Sequence, residues 1–251
     1  MVKGLDVFRE HCRGFEDQYV LIGGAACDVL FTNNEGDFRA TRDLDMVLIV
    51  EALTPEFGEC FWAFIEAGQY RNKATSAGTP QFYRFDKPEN DMYPKMIELF
   101  ARTEYVLKGA DGLTPIHVGD DVSSLSAILL NEDYYKILLE GRTVVQGLSV
   151  LRPEYLILFK AKAYLDLNAK RTSGANVDSR DIRKHKNDIV RILTEFMPER
   201  VSELPVAVHN DIREFVERLE EEPFDSNLLK NYGVTHEELE VLLRETYNVR
   251  G

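Results

Sequence analysis

The chain has 251 residues and a formal net charge of −13 at pH 7. Hydrophobic residues make up 44% of it and charged residues 29%, so it can bury a core and is not globally disordered. The acidic balance argues against a protein that coats nucleic acid or an anionic membrane without selectivity. No run approaches the roughly 18 apolar residues of a membrane span, and the first residues show no apolar leader. We therefore expect a cytoplasmic protein that makes no membrane contact.

The three cysteines are scattered along the chain at positions 12, 27 and 60. Their odd number implies no disulfide framework, and no CxxC or Cys/His cluster indicates zinc. We expect three reduced thiols that act as core or surface residues.

The first part of the chain alternates helical and strand patterns. In chain order these predict a helix at 4–18, a strand at 19–24 followed at once by a helix, a strand at 44–50, a helix at 55–68 opened by Pro55, and strands at 81–86 and 95–101. Further short strands and a helix are expected up to about residue 150.

From Pro153 onward, helical patterns dominate at 153–171, 181–196, 207–221 and 235–247. Pro153 suits the first turn of a helix, and Thr235 begins a sequence typical of a capping box. Strands and helices followed by helices alone predict an α+β protein with a mixed sheet and flanking helices. We expect a catalytic domain at 1–150 and a helical C-terminal domain at 151–251.

Asp43 and Asp45 precede the apolar run at 46–50, with Arg39 and Thr41 just before them. In a strand, residues i and i+2 point to the same face, so the two carboxylates would project together. Like charges this close repel, and Mg²⁺ relieves the repulsion because hard cations bind carboxylate oxygens. The alternative is a turn that carries two solvated acids.

Two other features have the same double interpretation. Gly23 and Gly24 end a strand and open a helix, where backbone N–H groups could approach a phosphate, or where the chain simply turns tightly. Glu98 lies among apolar residues in KMIELF, so its charge needs a reason. It is either a third metal-binding carboxylate or an outward-facing residue of an edge strand.

Together, Gly23, Gly24, Asp43, Asp45 and Glu98 resemble the nucleotidyltransferase superfamily of polymerase-beta-like enzymes. The RATRDLD stretch is similar more narrowly to the AbiEii/AbiGii-type toxins of abortive-infection systems. The resemblance implies that Asp43 and Asp45 bind Mg²⁺, and that Glu98 completes the metal ligands or acts as base on the attacking hydroxyl. It also implies that the glycines cradle the phosphates of an NTP. Arg39 and Thr41 would either contact these phosphates or brace the loop that leads to Asp43 and Asp45.

The resemblance also implies a lysine on the first helix of the second part and an aspartate on the next. Lys160 is the first choice for the lysine, because it lies within an apolar run, and Lys162 competes with it. Asp188 is the first choice for the aspartate and Asp181 the second, because the KHKND sequence departs from the usual family pattern. His185, among basic neighbours, is expected to be solvated or to face phosphate.

The function implied is Mg²⁺-dependent transfer of a nucleotide from an NTP to an acceptor hydroxyl, with tRNA as one implied acceptor and an antitoxin protein as an implied partner. Between residues 152 and 191 there are ten basic residues and five acidic ones. This excess of positive charge suits binding of a triphosphate or an RNA end, or it belongs to an ordinary solvated helical face. The alternatives are a small-molecule, antibiotic-type nucleotidyltransferase and a catalytically silent binding module.

Overall fold

The computed structural model describes residues 2–74, 80–101, 128 and 131–250. The chain divides into two compact units, one of Met1–Val122 with Arg142–Leu151 and one of Ser123–Gly141 with Arg152–Gly251. Strands lie in the first unit and the second is helical where it is described, which confirms the predicted α+β class. The domain boundary at residue 150 stays a prediction, because compactness alone does not test whether either part is an independent domain.

The first unit contains a mixed seven-stranded sheet in the order β3-β4-β5-β2-β1-β7-β6. Strand β2 runs parallel to β5 and β1 runs parallel to β7, while the other neighbouring strands are antiparallel. The strands are β1 (Tyr19–Leu21), β2 (Asp43–Leu48), β3 (Arg71–Ala74), β4 (Pro80–Asp86), β5 (Met96–Ala101), β6 (Arg142–Val145) and β7 (Leu148–Leu151).

The helices of this unit are α1 (Leu5–His11), α2 (Gly23–Asn33) and α3 (Pro55–Gly68). Helix α3 matches the predicted 55–68, because Thr54 caps its N-terminus and a proline opens its first turn. The predicted helix at 4–18 is wrong in length. The chain leaves helical geometry at Cys12, and Gly14 takes a φ of +90°, which ends the helix early.

Aromatic side chains fill the space between α1, α3 and the sheet. Phe8 of α1 makes edge-to-face contacts with Tyr19 of β1 and Phe64 of α3, each with ring centroids 5.4 Å apart. Phe57 stacks on Tyr19, and Phe61 contacts Phe85 of β4. These rings are fully buried, so this layer anchors the sheet that carries the candidate site.

The second unit is helical where it is described, and among the described residues no helix is long and apolar enough to cross a membrane. The capping box predicted at Thr235 is present, with Glu238 as its partner. A short helix, α8 (Ser226–Tyr232), lies outside the predicted elements; Asp225 caps it and Gly233 ends it. The helices are α4 (Glu132–Gly141), α5 (Pro153–Thr172), α6 (Ser179–Phe196), α7 (Val206–Arg218), α8 (Ser226–Tyr232) and α9 (His236–Tyr247).

Candidate functional site

Two aspartates project from one face of β2 at the start of the strand. Asp43 and Asp45 are half-buried, and they alternate with Leu44 and Met46, which are fully buried on the opposite face. The backbone N–H of Ile22 donates to the carbonyl of Asp45 at 3.0 Å, which extends the pairing of β1 with β2 up to this point. The two carboxylates therefore share one rim of the sheet, as their spacing predicted.

Glu98 lies directly beside Asp45. In the parallel pairing of β2 with β5, Asp45 is in register with Glu98 and Asp43 with Met96. Residues in register on adjacent strands point to the same face, about 4.8 Å apart along the hydrogen-bonding direction. From the sequence, only the family resemblance places Glu98 beside Asp45. In the structure, the register of β2 with β5 places it there.

Glu98 has a basic partner that sequence reasoning missed. Arg84 of β4 is in register with Glu98, and its guanidinium forms an ion pair with the Glu98 carboxylate. The two side chains are only 30% and 16% exposed, so the pair is partly shielded from water. The sequence contains one signal for this pair. An arginine lies within the apolar strand QFYRFD, just as a glutamate lies within the apolar strand KMIELF.

The N-terminus of α2 lies against this acidic rim. Gly23 has a φ of +62°, and a Cβ atom built on it would overlap Oδ2 of Asp45. A Cβ atom on Gly24 would lie 2.5 Å from Oγ1 of Thr41. The helix has no side-chain cap and no acidic residue in its first turn. Only glycine permits this close approach, and the helix dipole and free N–H groups there favour an anion.

The loop before β2 is held by aromatic contacts. The guanidinium of Arg39 lies 5.1 Å from the ring centroid of Phe38, and that ring contacts Phe31 of α2 at 5.0 Å. Arg39 and Thr41 therefore belong to the loop that borders the glycine turn. This placement suits either of their predicted roles, phosphate contact or support of the loop.

The carboxylates of this rim fit a magnesium ion in one specific way. Among the residues that the structure describes, no group of three or more His, Cys, Asp or Glu side chains is arranged to hold a metal, and Arg84 engages Glu98. Mg²⁺, however, commonly takes one or two protein carboxylates and completes its shell with water and substrate phosphate. Asp43 and Asp45 provide such a pair beside a helix N-terminus suited to phosphate.

Lys160 and Asp188, the two residues predicted on the helices, contact each other in the second unit. Nζ of Lys160 on α5 donates to Oδ2 of Asp188 on α6 at 2.8 Å, and the residues are 4% and 0% exposed. Arg191 donates to the other carboxylate oxygen at 3.2 Å. A buried ion pair with both oxygens engaged fixes the two helices against each other.

The competing choices lie elsewhere on the same helices. Lys162 pairs with Asp166 at 3.1 Å and with Asp211 of α7 at 3.3 Å, and Tyr134 of α4 also donates to Asp211. Burial by itself would lower the pKa of Lys162, but the two aspartates raise it above its ordinary value. Asp181 is exposed in the first turn of α6.

His185 is half-buried on α6, three residues before Asp188. The prediction that it is solvated or faces phosphate remains a prediction.

Of the residues predicted on the helices, the structure brings together the two first choices, Lys160 and Asp188, and separates them from Lys162 and Asp181.

No family model and no curated protein matches the chain. Among solved structures, the chain is similar to an antigenic nucleotidyltransferase-like protein from Paracoccidioides brasiliensis. The sequence identity is 17%, the match covers 89% of each chain, and the TM-score is 0.42. A likeness this weak carries no argument about function, which must come from the side chains of β2, β5 and α2. The narrower resemblance to abortive-infection toxins stays a prediction.

Proposed function

We propose that the protein is a metal-dependent nucleotidyltransferase that moves a nucleotide from an NTP to an acceptor hydroxyl. The observation that carries this proposal is the rim where Asp43 and Asp45 project beside Glu98 while Gly23 brings the α2 N-terminus against Asp45. Paired carboxylates next to a free helix N-terminus bring a cation site and a phosphate site together, which is the combination that phosphoryl chemistry requires.

Each residue of the rim has a role in the proposal. Asp43 and Asp45 would hold Mg²⁺, which when bound neutralises charge on the triphosphate oxygens. The N–H groups of Gly23 and Gly24 would donate to phosphate oxygens, because the N-cap residue Ile22 has no polar side chain to cap the helix. Glu98 would complete the ligands of the metal or accept the proton of the attacking hydroxyl, and either role requires that its carboxylate separate from Arg84.

Lys160 keeps a place in the proposal as a cation for the triphosphate. In the structure its ammonium binds Asp188, so that role requires Lys160 to exchange a carboxylate oxygen for a phosphate oxygen. Without such an exchange, Lys160 and Asp188 would contribute by fixing α5 to α6. The two roles predict different activities for a stable variant in which both residues are replaced by apolar ones.

The narrower proposal rests on the resemblance of RATRDLD alone. It makes the protein the toxin of an abortive-infection system, with tRNA as one acceptor and an antitoxin protein as its partner. The basic residues between 152 and 191 suit a polyanionic acceptor, whereas the overall charge of −13 suits a cationic small molecule. Acceptor choice therefore has to be measured.

Label transfer tests the enzyme class and the acceptor in one experiment. The protein is incubated with Mg²⁺ and each α-labelled NTP, and total RNA, a protein lysate and small polyamines are offered separately. We expect label on one acceptor class, and a loss of at least about a hundredfold in Asp43→Asn/Asp45→Asn. Asp37→Asn, an exposed aspartate in the preceding loop, is the matched control and should keep full activity. Equal labelling by the double variant would contradict the proposal.

A second candidate function is favoured by the ion pair between Arg84 and Glu98. The guanidinium occupies the Glu98 carboxylate, and the pair could fix the rim in a form that binds nucleotide without transferring it. This candidate, a silent binding module, predicts nucleotide binding by calorimetry with no labelled product on any acceptor. Detectable transfer that depends on Asp43 and Asp45 would exclude it.

A further inference from the structure

Two of the three cysteines meet between α1 and α3, away from the acidic rim. Sγ of Cys60, in the middle of α3, lies 3.7 Å from Sγ of Cys12, which ends α1. A disulfide needs an S–S distance of about 2.05 Å, so the sulfurs must approach each other by roughly 1.7 Å. Rotation about the side-chain torsion χ1 can move a sulfur atom by this distance. Cys12 is the C-cap residue of α1, so its backbone lies outside regular helical geometry.

The two thiols differ in access and in acidity. Cys12 is 1% exposed, whereas Cys60 is half-buried and can meet a small solute. The hydrogen bond between the sulfurs lowers the pKa of Cys60, although burial opposes this, and raises the pKa of Cys12. The S–H group of Cys60 donates to the carbonyl oxygen of His11 at 3.2 Å, which holds the Cys60 sulfur beside the end of α1. A half-buried thiol with the lower pKa of the two, 3.7 Å from a shielded thiol, has the arrangement of a reacting and a resolving cysteine.

We propose that Cys60 and Cys12 form a reversible oxidation site for hydroperoxides. The Cys60 thiolate attacks one peroxide oxygen, the O–O bond breaks, and hydroxide leaves, which gives sulfenic acid on Cys60. The Cys12 thiol then attacks the Cys60 sulfur, and the hydroxyl group leaves as water with the Cys12 proton. In total, two thiols lose two electrons and two protons, and hydrogen peroxide is reduced to two waters. Oxidation therefore ties the end of α1 to α3. A dithiol reductant breaks the bond, becomes a disulfide itself and releases the end of α1.

Mass spectrometry of the intact chain tests this site. The reduced protein is treated with a few equivalents of hydrogen peroxide, alkylated, digested and mapped. We expect a peptide pair joined through Cys12 and Cys60, a chain lighter by two hydrogens, an alkylated Cys27, and full reversal by dithiothreitol. Absence of this bond in the folded wild-type chain, or equal joining through Cys27, would overturn the proposal.

Single variants separate the two roles, with circular dichroism of each variant as the check on folding. Cys60→Ser should slow peroxide consumption at least about tenfold, because the reactive thiolate is gone. Cys12→Ser should instead accumulate a Cys60 sulfenic acid that dimedone traps. Cys27→Ser is the matched control and should behave like the wild-type chain. Dimedone labelling that is as strong in Cys60→Ser as in Cys12→Ser would contradict the assignment of Cys60 as the reacting residue.

Discussion

Asp45 of β2 lies in register with Glu98 of β5, and the two strands run parallel. Parallel neighbours need a crossover connection, so the contact joins segments that are far apart in the chain. The chain places two half-buried carboxylates side by side and adds Asp43 on the same face. Such an acidic rim is costly unless cations offset it. Arg84 neutralises one member, and the proposed metal would neutralise the other two.

The glycine turn should tolerate no side chain. Gly23→Ala places a Cβ atom against the Asp45 carboxylate in a backbone conformation with positive φ, so we expect a loss of roughly 2–4 kcal/mol of stability. It should also abolish nucleotide binding, because the turn would have to move away from Asp45. Urea denaturation and nucleotide calorimetry measure the two effects.

Gly233→Ala is the matched control for this turn. Gly233 has a φ of +67°, close to that of Gly23, but an added Cβ atom there meets no atom within 4 Å. It should therefore cost only the backbone strain, about 1 kcal/mol, and leave nucleotide binding intact. Equal effects of the two variants would show that strain alone, without the Asp45 contact, explains the Gly23 result.

Removing Arg84 should release Glu98. Arg84→Gln leaves the Glu98 carboxylate without its guanidinium, so we expect tighter divalent-metal binding, by about tenfold, if Glu98 joins Asp43 and Asp45 as a ligand. Manganese titration followed by electron paramagnetic resonance measures this affinity. An unchanged affinity would limit the metal site to the two aspartates, and Arg84→Lys, which retains the charge, should stay close to wild type.

Removing one partner of the buried pair Lys160–Asp188 should lower the stability of the fold strongly. Lys160→Met leaves a buried carboxylate, and we expect a loss of about 3 kcal/mol because Arg191 still holds one oxygen. Lys160→Met/Asp188→Leu should recover most of that stability. If the recovered double variant transfers nucleotide normally, the pair only fixes the helices. If it folds but is inactive, Lys160 acts on the substrate.

The stabilisation by Lys162 should depend on pH. Its pKa is raised in the folded chain, so its contribution is complete below the unfolded value of about 10.4 and is lost as pH rises through the folded value. The stability difference between wild type and Lys162→Met should be about 1 kcal/mol near neutral pH and shrink above roughly pH 10.5. Lys184→Met, at an exposed position of α6, should show no such trend.

Local signals made part of the fold predictable. Helix α3 follows from Thr54, Pro55 and an amphipathic pattern, and the alternation in β2 follows from its sequence. The prediction for helix α1 is too long because apolar spacing continues to Phe15, whereas the chain leaves helical geometry at Cys12 and Gly14 then takes a positive φ. Strand β3 has no apolar alternation in Arg71–Ala74, and its pairing with β4 supplies the structure that propensity does not.

The candidate site shows the same limit. The carboxylates and glycines were visible as residue types at characteristic spacings, so they could be named from the sequence. The ion pair between Arg84 and Glu98 was not visible, because it depends on the register of β4 with β5. The partner of Lys160 was not visible either, because pairing with Asp188 depends on how α5 packs on α6. Partner identity is a property of packing and not of local sequence.

The most direct test of the central claim is metal binding by the aspartate pair. Manganese is titrated into the wild-type chain and into Asp43→Asn/Asp45→Asn, each with a non-hydrolysable ATP analogue, and bound ion is followed by electron paramagnetic resonance. We expect one saturable site in the wild-type chain that is lost, or weakened at least about a hundredfold, in the folded double variant. Equal manganese affinity in the two proteins would contradict it.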